Sequence, residues 1–165
     1  METFLPESYK APSKGYLKLQ EGDNLFRVLS SAVVGYEYFT EENKPIRSKV
    51  PFKSTPGIKI KDGKPESPKH FWAFAVWNYA TDAVEILQLT QSTIRDAIQN
   101  LVQDEDWGNP KGYDIKITRS GSGLSTEYAV SPKPHKEVSP EIKSAYEAKT
   151  INLEALFDGK NPFEI

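Results

Sequence analysis

The chain has no cysteine, one methionine and two histidines among 165 residues. Without cysteine there is no disulfide framework and no thiolate metal site. His70 and His135 lie far apart in sequence and have no cysteine partner, so no metal centre or cofactor is expected. No apolar run reaches the about 18 residues of a membrane-spanning helix, and no membrane association is expected. The opening METFLPESYK lacks the basic-then-apolar order of a signal peptide, which makes cytoplasm the expected compartment.

Catalytic signatures are also missing. There is no GxSxG nucleophile elbow, and Ser120-Gly-Ser-Gly123 reads as a hairpin turn. Gly57, Gly63 and Lys64 imitate a phosphate-binding loop, but five residues separate the glycines and Pro65 stands where Ser or Thr would hold magnesium. Asp104, Glu105, Asp106 and Asp114 are the one acidic group worth weighing. Three of them are consecutive and cannot all point one way, so they read as a solvated turn. An enzyme is not expected.

What is present suits binding. Hydrophobic residues make up 38% and charged residues 27%, as in a globular domain with its own core. The net charge of −2 hides an asymmetry. Residues 44–70 hold Lys44, Arg47, Lys49, Lys53, Lys59, Lys61, Lys64 and Lys69 against Asp62 and Glu66, so this segment is at +6 and the rest at −8. A local field of that kind attracts polyanions whatever the overall pI. Directly after it comes HFWAFAVWNY at 70–79, with Phe71, Trp72, Phe74, Trp77 and Tyr79.

Periodicity gives the element order. Residues 24–39 (NLFRVLSSAVVGYEYF) read as one long strand in which Gly35 marks a bulge or bend. Residues 40–70 carry five prolines and read as a long basic loop, with a small hairpin at 58–66 turning on Asp62-Gly63. Residues 71–79 and 84–90 form a hairpin about Thr81-Asp82, which sets Trp77 opposite Ile86 and Phe74 opposite Leu89. One face then carries Trp72, Phe74, Val76, Leu87 and Leu89 and reads as core. The other carries Phe71, Ala73, Ala75, Trp77 and Tyr79 and reads as the exposed, ligand-facing surface, an assignment that a one-residue slip would reverse.

Residues 91–103 place Ile94, Ile98, Leu101 and Val102 on one helical stripe, with Thr90 or Ser92 as cap. Strands follow at 113–119 and 124–131. Ser139-Pro140-Glu141 starts a short helix after a proline-rich linker, and NLEALF makes a further turn before Asp158-Gly159. This order predicts a mainly β protein: an OB-fold, the five-stranded Greek-key barrel with a helix between strands 3 and 4, plus a C-terminal tail with short helices. The expected divisions are an N-terminal arm at 1–23, the barrel domain at 24–131 with its basic loop at 40–70, and a linker and tail at 132–165.

Aromatic faces beside cations are what unpaired nucleic acid needs, because bases stack and phosphates pair. Phe71, Trp77 and Tyr79 are the candidate stacking residues, with burial in the barrel as the other reading. Lys44, Arg47, Lys49, Lys53 and Lys69 are the candidate phosphate contacts. Arg27, Lys116 and Arg119, on strands or strand ends, either join them or remain solvated surface charges.

Several segments together resemble the single-stranded DNA-binding proteins of tailed bacteriophages, an OB-fold group distantly allied to the helix-destabilising proteins of T-even phages. They are FRVLSSAVVGYEYF at 26–39, KPIR at 44–47, KHFWAFAVWNY at 69–79, ILQLTQSTIRDAI at 86–98 and DWGNPKGYDIKITRSGSGLSTEYAV at 106–130. The resemblance implies sequence-independent binding of single-stranded DNA in phage replication, recombination or repair, in the cytoplasm of a bacterial host, without catalysis. The ending from Phe157-Asp158 to Phe163-Glu164-Ile165 resembles the acidic tips by which such proteins recruit replication or recombination partners, with a tail packed onto the barrel as the other reading. Relatives with a zinc subdomain in the basic region differ from this chain, whose loop must be ordered without cysteine. The alternative reading is an OB-fold adaptor of a replisome or virion that contacts protein and no nucleic acid. RNA is a substrate variant that stacking residues do not discriminate.

Overall fold

The computed structural model describes residues 2–9 and 12–164; parts of the expected arm (1, 10 and 11) and the final residue of the tail lie outside these. The fold is mainly β, one large antiparallel sheet with few helices. Its central strand is β6 (Lys69–Asn78), the ten-residue aromatic segment.

The expected long first strand is two strands, β1 (Gly22–Val28) and β2 (Val33–Phe39). Both run along one edge of β6: Phe26–Val28 pair with Asn78–Val76, and Val33–Glu37 with Ala73–Lys69. The break falls at 29–32, not at Gly35. There Leu29 N–H donates to the Ala75 carbonyl at 2.8 Å, while the Ala75 N–H turns to the Ser30 hydroxyl at 2.8 Å. A side-chain oxygen thus replaces a ladder carbonyl, and the chain bends.

The basic loop is more regular than its prolines suggest. β3 (Pro45–Ser48) pairs with β2, and β4 (Ile60–Lys61) pairs with β5 (Lys64–Pro65). The expected turn is there, with Asp62 and Gly63 both at positive φ (54° and 77°), as a two-residue hairpin requires. The loop is ordered by local contacts. Tyr38 donates to the Pro56 carbonyl and packs edge-on against Phe52, Lys59 Nζ reaches Asn43 Oδ1, and Ile60 N–H reaches Glu41 Oε1.

β7 (Ala83–Leu89) takes the other edge of β6, with Trp77 opposite Val84, Ala75 opposite Ile86 and Phe74 opposite Leu87. The expected register is off by two residues, because the loop is Tyr79–Asp82 and turns one residue earlier. A two-residue slip conserves faces, so the alternation stands. Helix α1 (Ser92–Gln103) follows, burying Ile94 and Ile98. Neither Thr90 nor Ser92 caps it: Gln91 holds the N-cap position without a side-chain hydrogen bond. β8 (Asp114–Ser120) then pairs with the free edge of β1, and β9 (Glu127–Pro132) with β8. The sheet order is β3-β2-β6-β1-β8-β9, with β7 on β6.

The main core lies between these strands and α1. It contains Phe26, Val28, Phe74, Val76, Leu87, Leu89, Ile94, Ile98, Tyr113, Ile115 and Ile117. No pairing joins β7 to β9 among the described residues. The outer edge of β7 is instead met by the N-terminal segment, where Leu17 N–H donates to Ile86 O at 3.0 Å and Ile86 N–H to Gly15 O at 2.9 Å. Buried Glu85 fastens the same segment, accepting from Ser13 Oγ (2.6 Å), Asn78 Nδ2 (2.8 Å) and Thr81 Oγ1 (2.9 Å).

The C-terminal region is a second layer. α2 (Pro140–Ala148) starts as expected, with Ser139 Oγ accepting from Ile142 N–H. The 3₁₀ turn Leu153–Asp158 ends on Gly159, whose φ of 68° suits glycine. Both lie on the outer face of β6 and β7.

Candidate functional site

The core reading of Phe74, Val76, Leu87 and Leu89 holds, but the opposite face of β6 is buried as well. Phe71 is fully buried and Trp77 is 5% exposed. Phe71, Ala73 and Ile86 pack with Leu156, and Val33, Leu153, Phe157 and Phe163 close over them. Trp77 and Val84 pack with Ile142, beside Val138, Ala145 and Tyr146. The surface expected to face ligand is therefore covered by the C-terminal segment. Gly35 belongs to this contact. A Cβ there would stand 2.7 Å from the Phe157 ring and 2.6 Å from the Ser48 carbonyl, so glycine admits the tail where a bend was expected.

Tyr79 is tied into a polar cluster at the margin of the same face. Its hydroxyl donates to Asp114 Oδ1 at 2.9 Å. Asp114, itself buried, also accepts from Arg27 Nε at 2.7 Å and faces Lys136 Nζ at 3.3 Å. Burial, with help from the hydrogen bond and negative charge of Asp114, pushes the Tyr79 hydroxyl up to about 12. Arg27 is 1% exposed, and its pairing with Asp114 removes it from the set of cations that can reach solvent phosphate.

The other candidate cations divide in two. Arg47 bonds buried Glu37 at 3.1 Å and lies over the Phe71 ring. Lys49 pairs with Glu154 at 2.7 Å and lies over Phe157, which makes it a clamp on the tail. Lys116 is 3.9 Å from Asp23, and Arg119 Nη1 donates to the Leu19 carbonyl at 3.0 Å. Lys44, Lys53 and Lys69 are exposed and make no ion pair among the described residues. The carboxylates at 104–114 do not converge, since Asp114 belongs to the Arg27 cluster. No group of three or more candidate metal-ligating side chains occurs among the described residues.

A groove opens at one end of the core face. Trp72 is only partly buried, and with Phe74, Val28 and Val34 it lines a groove of about 430 Å³. The β1–β2 bend supplies one wall through Ser30, Ser31 and Ala32. Ile98 and Val102 of α1 supply another, and Asn109, Pro110 and Lys111 a third. Val34 is 47% and Val102 46% exposed, which gives the groove an apolar rim. Alternation continues this face along β6 to His70, whose ring lies 4.9 Å from that of Tyr36.

A second hollow, of about 660 Å³, shares Lys111 with this groove and is otherwise lined by Gly112, His135, Lys136, Glu137, Val138 and Lys143. His135 stacks on Trp107, their planes 15° apart, and bonds the Trp107 carbonyl at 2.9 Å. Sequence reasoning missed Ser30, Ser31, Lys111 and the whole second hollow. The Ser-Ser pair interrupting an apolar strand is the signal that marked the break.

No family model, no curated protein and no solved structure matches this chain.

Proposed function

We propose that the protein binds single-stranded nucleic acid without sequence preference, single-stranded DNA in the first instance, and does no chemistry on it. The observation that carries this reading is the partly exposed Trp72 in an open groove, followed on the same face by Tyr36 and His70 and edged by Lys111. A groove of about 430 Å³ admits a base or two, and an indole face stacks any base. The strand order supports an OB-type barrel in which the β1–β2 pair is the bent first strand, α1 separates strands three and four, and the seam between β7 and β9 is left open. The site proposed from sequence moves accordingly, from Phe71, Trp77 and Tyr79 to Trp72 with Tyr36 and His70. Phosphate contacts come from Lys44, Lys53, Lys69 and Lys111, which are exposed. A place in phage replication, recombination or repair, in a host cytoplasm, follows from the sequence resemblance.

About four neutralised phosphates give a log–log salt slope of roughly −3 on single strands. Titrating labelled oligo-dT at several salt concentrations tests this. Affinity that does not change with salt, or equal preference for duplex, contradicts it.

The adaptor reading has one observation in its favour, the apolar character of Val34 and Val102. It requires that oligonucleotide leave tryptophan emission unchanged. Recruitment of replication proteins by the tail is narrowed to the tail's solvent side, because its apolar residues face the sheet.

A further inference from the structure

The groove accounts for bases but leaves the adjoining hollow unexplained. Lys111, Lys136 and Lys143 converge there with His135, against Glu137 alone on the lining. Asp114 does not cancel them, since its carboxylate is shared among Arg27, Tyr79 and Lys136. Arg27 is buried and joined to the lining at Lys111. Its Nη1 donates to the Lys111 carbonyl at 3.3 Å, while its Nη2 is buried and has no acceptor among the described residues. The backbone is fixed: Lys136 N–H donates to the Gly112 carbonyl at 3.1 Å, and Lys133 N–H to the Asp114 carbonyl at 2.9 Å. The hollow thus gathers three exposed lysines on a backbone held by hydrogen bonds.

We propose that this recess is a phosphate subsite for the same strand that occupies the groove. Lys111 stands at the junction, so a base against Trp72 is followed by a phosphodiester held by Lys136 and Lys143. This rests on the reading of the groove as a single-strand site. It adds a direction: the strand leaves the groove past Pro110–Gly112 towards the linker, instead of crossing the face under the tail.

The test uses the full chain and the variant Lys143→Gln, an exposed position that bears on no core contact. Oligo-dT affinity is expected to fall about two- to fivefold, the size of an exposed ion pair. The salt slope is expected to shrink by about 0.7, one phosphate's share. Lys64→Gln on the remote β4–β5 hairpin serves as comparison and should change the slope less. Inorganic phosphate is the second probe, with the amide resonances of Gly112 and Lys136 as readout. Saturable shifts that weaken in Lys143→Gln support the subsite when oligo-dT also binds; the same shifts with no oligonucleotide bound overturn its assignment to the strand and leave a site for free phosphate. Unchanged slope and affinity in Lys143→Gln, with wild type binding oligo-dT normally, overturn the subsite and leave the groove intact. No binding of oligo-dT and no phosphate shifts overturn both.

Discussion

Leu156→Ala probes whether the C-terminal segment is a seated layer of the fold or a detachable tail. Leu156 is 2% exposed and packs into the cluster formed by Phe71, Ala73 and Ile86 on β6 and β7. Truncating a buried leucine removes its transfer free energy and leaves a cavity that the sheet below cannot fill, costing about 2–5 kcal/mol. Residues of the 3₁₀ turn can shift more readily than strand residues, which favours the lower half, about 3 kcal/mol. For a chain of this size each kcal/mol moves Tm by about 2–4 °C, so the melting point should fall by about 6–12 °C. Calorimetry and urea unfolding followed by tryptophan fluorescence both report it. Leu124→Ala is the control, because Leu124 stands fully exposed in the β8–β9 turn and should change nothing. If Leu156→Ala melts within a degree of wild type, the segment is not seated on the sheet, and the outer face is open after all.

Gly35→Ala should cost about 1–3 kcal/mol by forcing a methyl group against the Ser48 carbonyl and the Phe157 ring, measured by urea midpoint. Asp114→Ala should cost about 3–5 kcal/mol because it strands the buried Arg27, and Arg27→Met with Asp114→Ala should recover part of that in a double-mutant cycle. The Tyr79 hydroxyl is held neutral in the folded state up to about pH 12, above its ordinary 10, so its contribution is complete below pH 10 and lost as pH rises towards 12. Ultraviolet titration of wild type against Tyr79→Phe should show one late-ionising tyrosine missing from the variant. Removing residues 139–165 should expose Phe71, Trp77, Val84 and Ile86 and raise binding of an apolar dye without tightening oligo-dT binding, because the groove lies on the opposite face.

The alternation of residues 71–79 was legible because strand faces have period two, and the real register, displaced by two, leaves each side chain on its face. That the second face is covered too was not legible, because that depends on what packs on it. The cover comes from residues 138–163, more than fifty positions away in sequence, and pairs with nothing by periodicity. A signal did exist: Ile151, Leu153, Leu156, Phe157 and Phe163 are too apolar for a solvated acidic tip. Arg27 shows the same limit. As a strand cation it resembles any phosphate contact, and only the pairing of β1 with β8 brings Asp114 beside it. The break at 29–32 was placed at Gly35 because glycine is the usual mark of a bend, whereas Ser30 makes the bend and Gly35 makes room for Phe157. Local chemistry predicted the Asp62-Gly63 hairpin and the Ser139 cap well, since each is decided within a few residues.

The central claim is that bases lie against Trp72 in the open groove and not against the covered Phe71 and Trp77. The direct measurement is anisotropy of labelled oligo-dT with wild type and Trp72→Leu, which keeps an apolar floor and removes the indole face. A stacked base contributes about 1–3 kcal/mol, so affinity should fall about 5- to 150-fold, with quenching of tryptophan emission by oligonucleotide largely lost. Wild-type affinity and quenching in a folded Trp72→Leu protein would contradict the account.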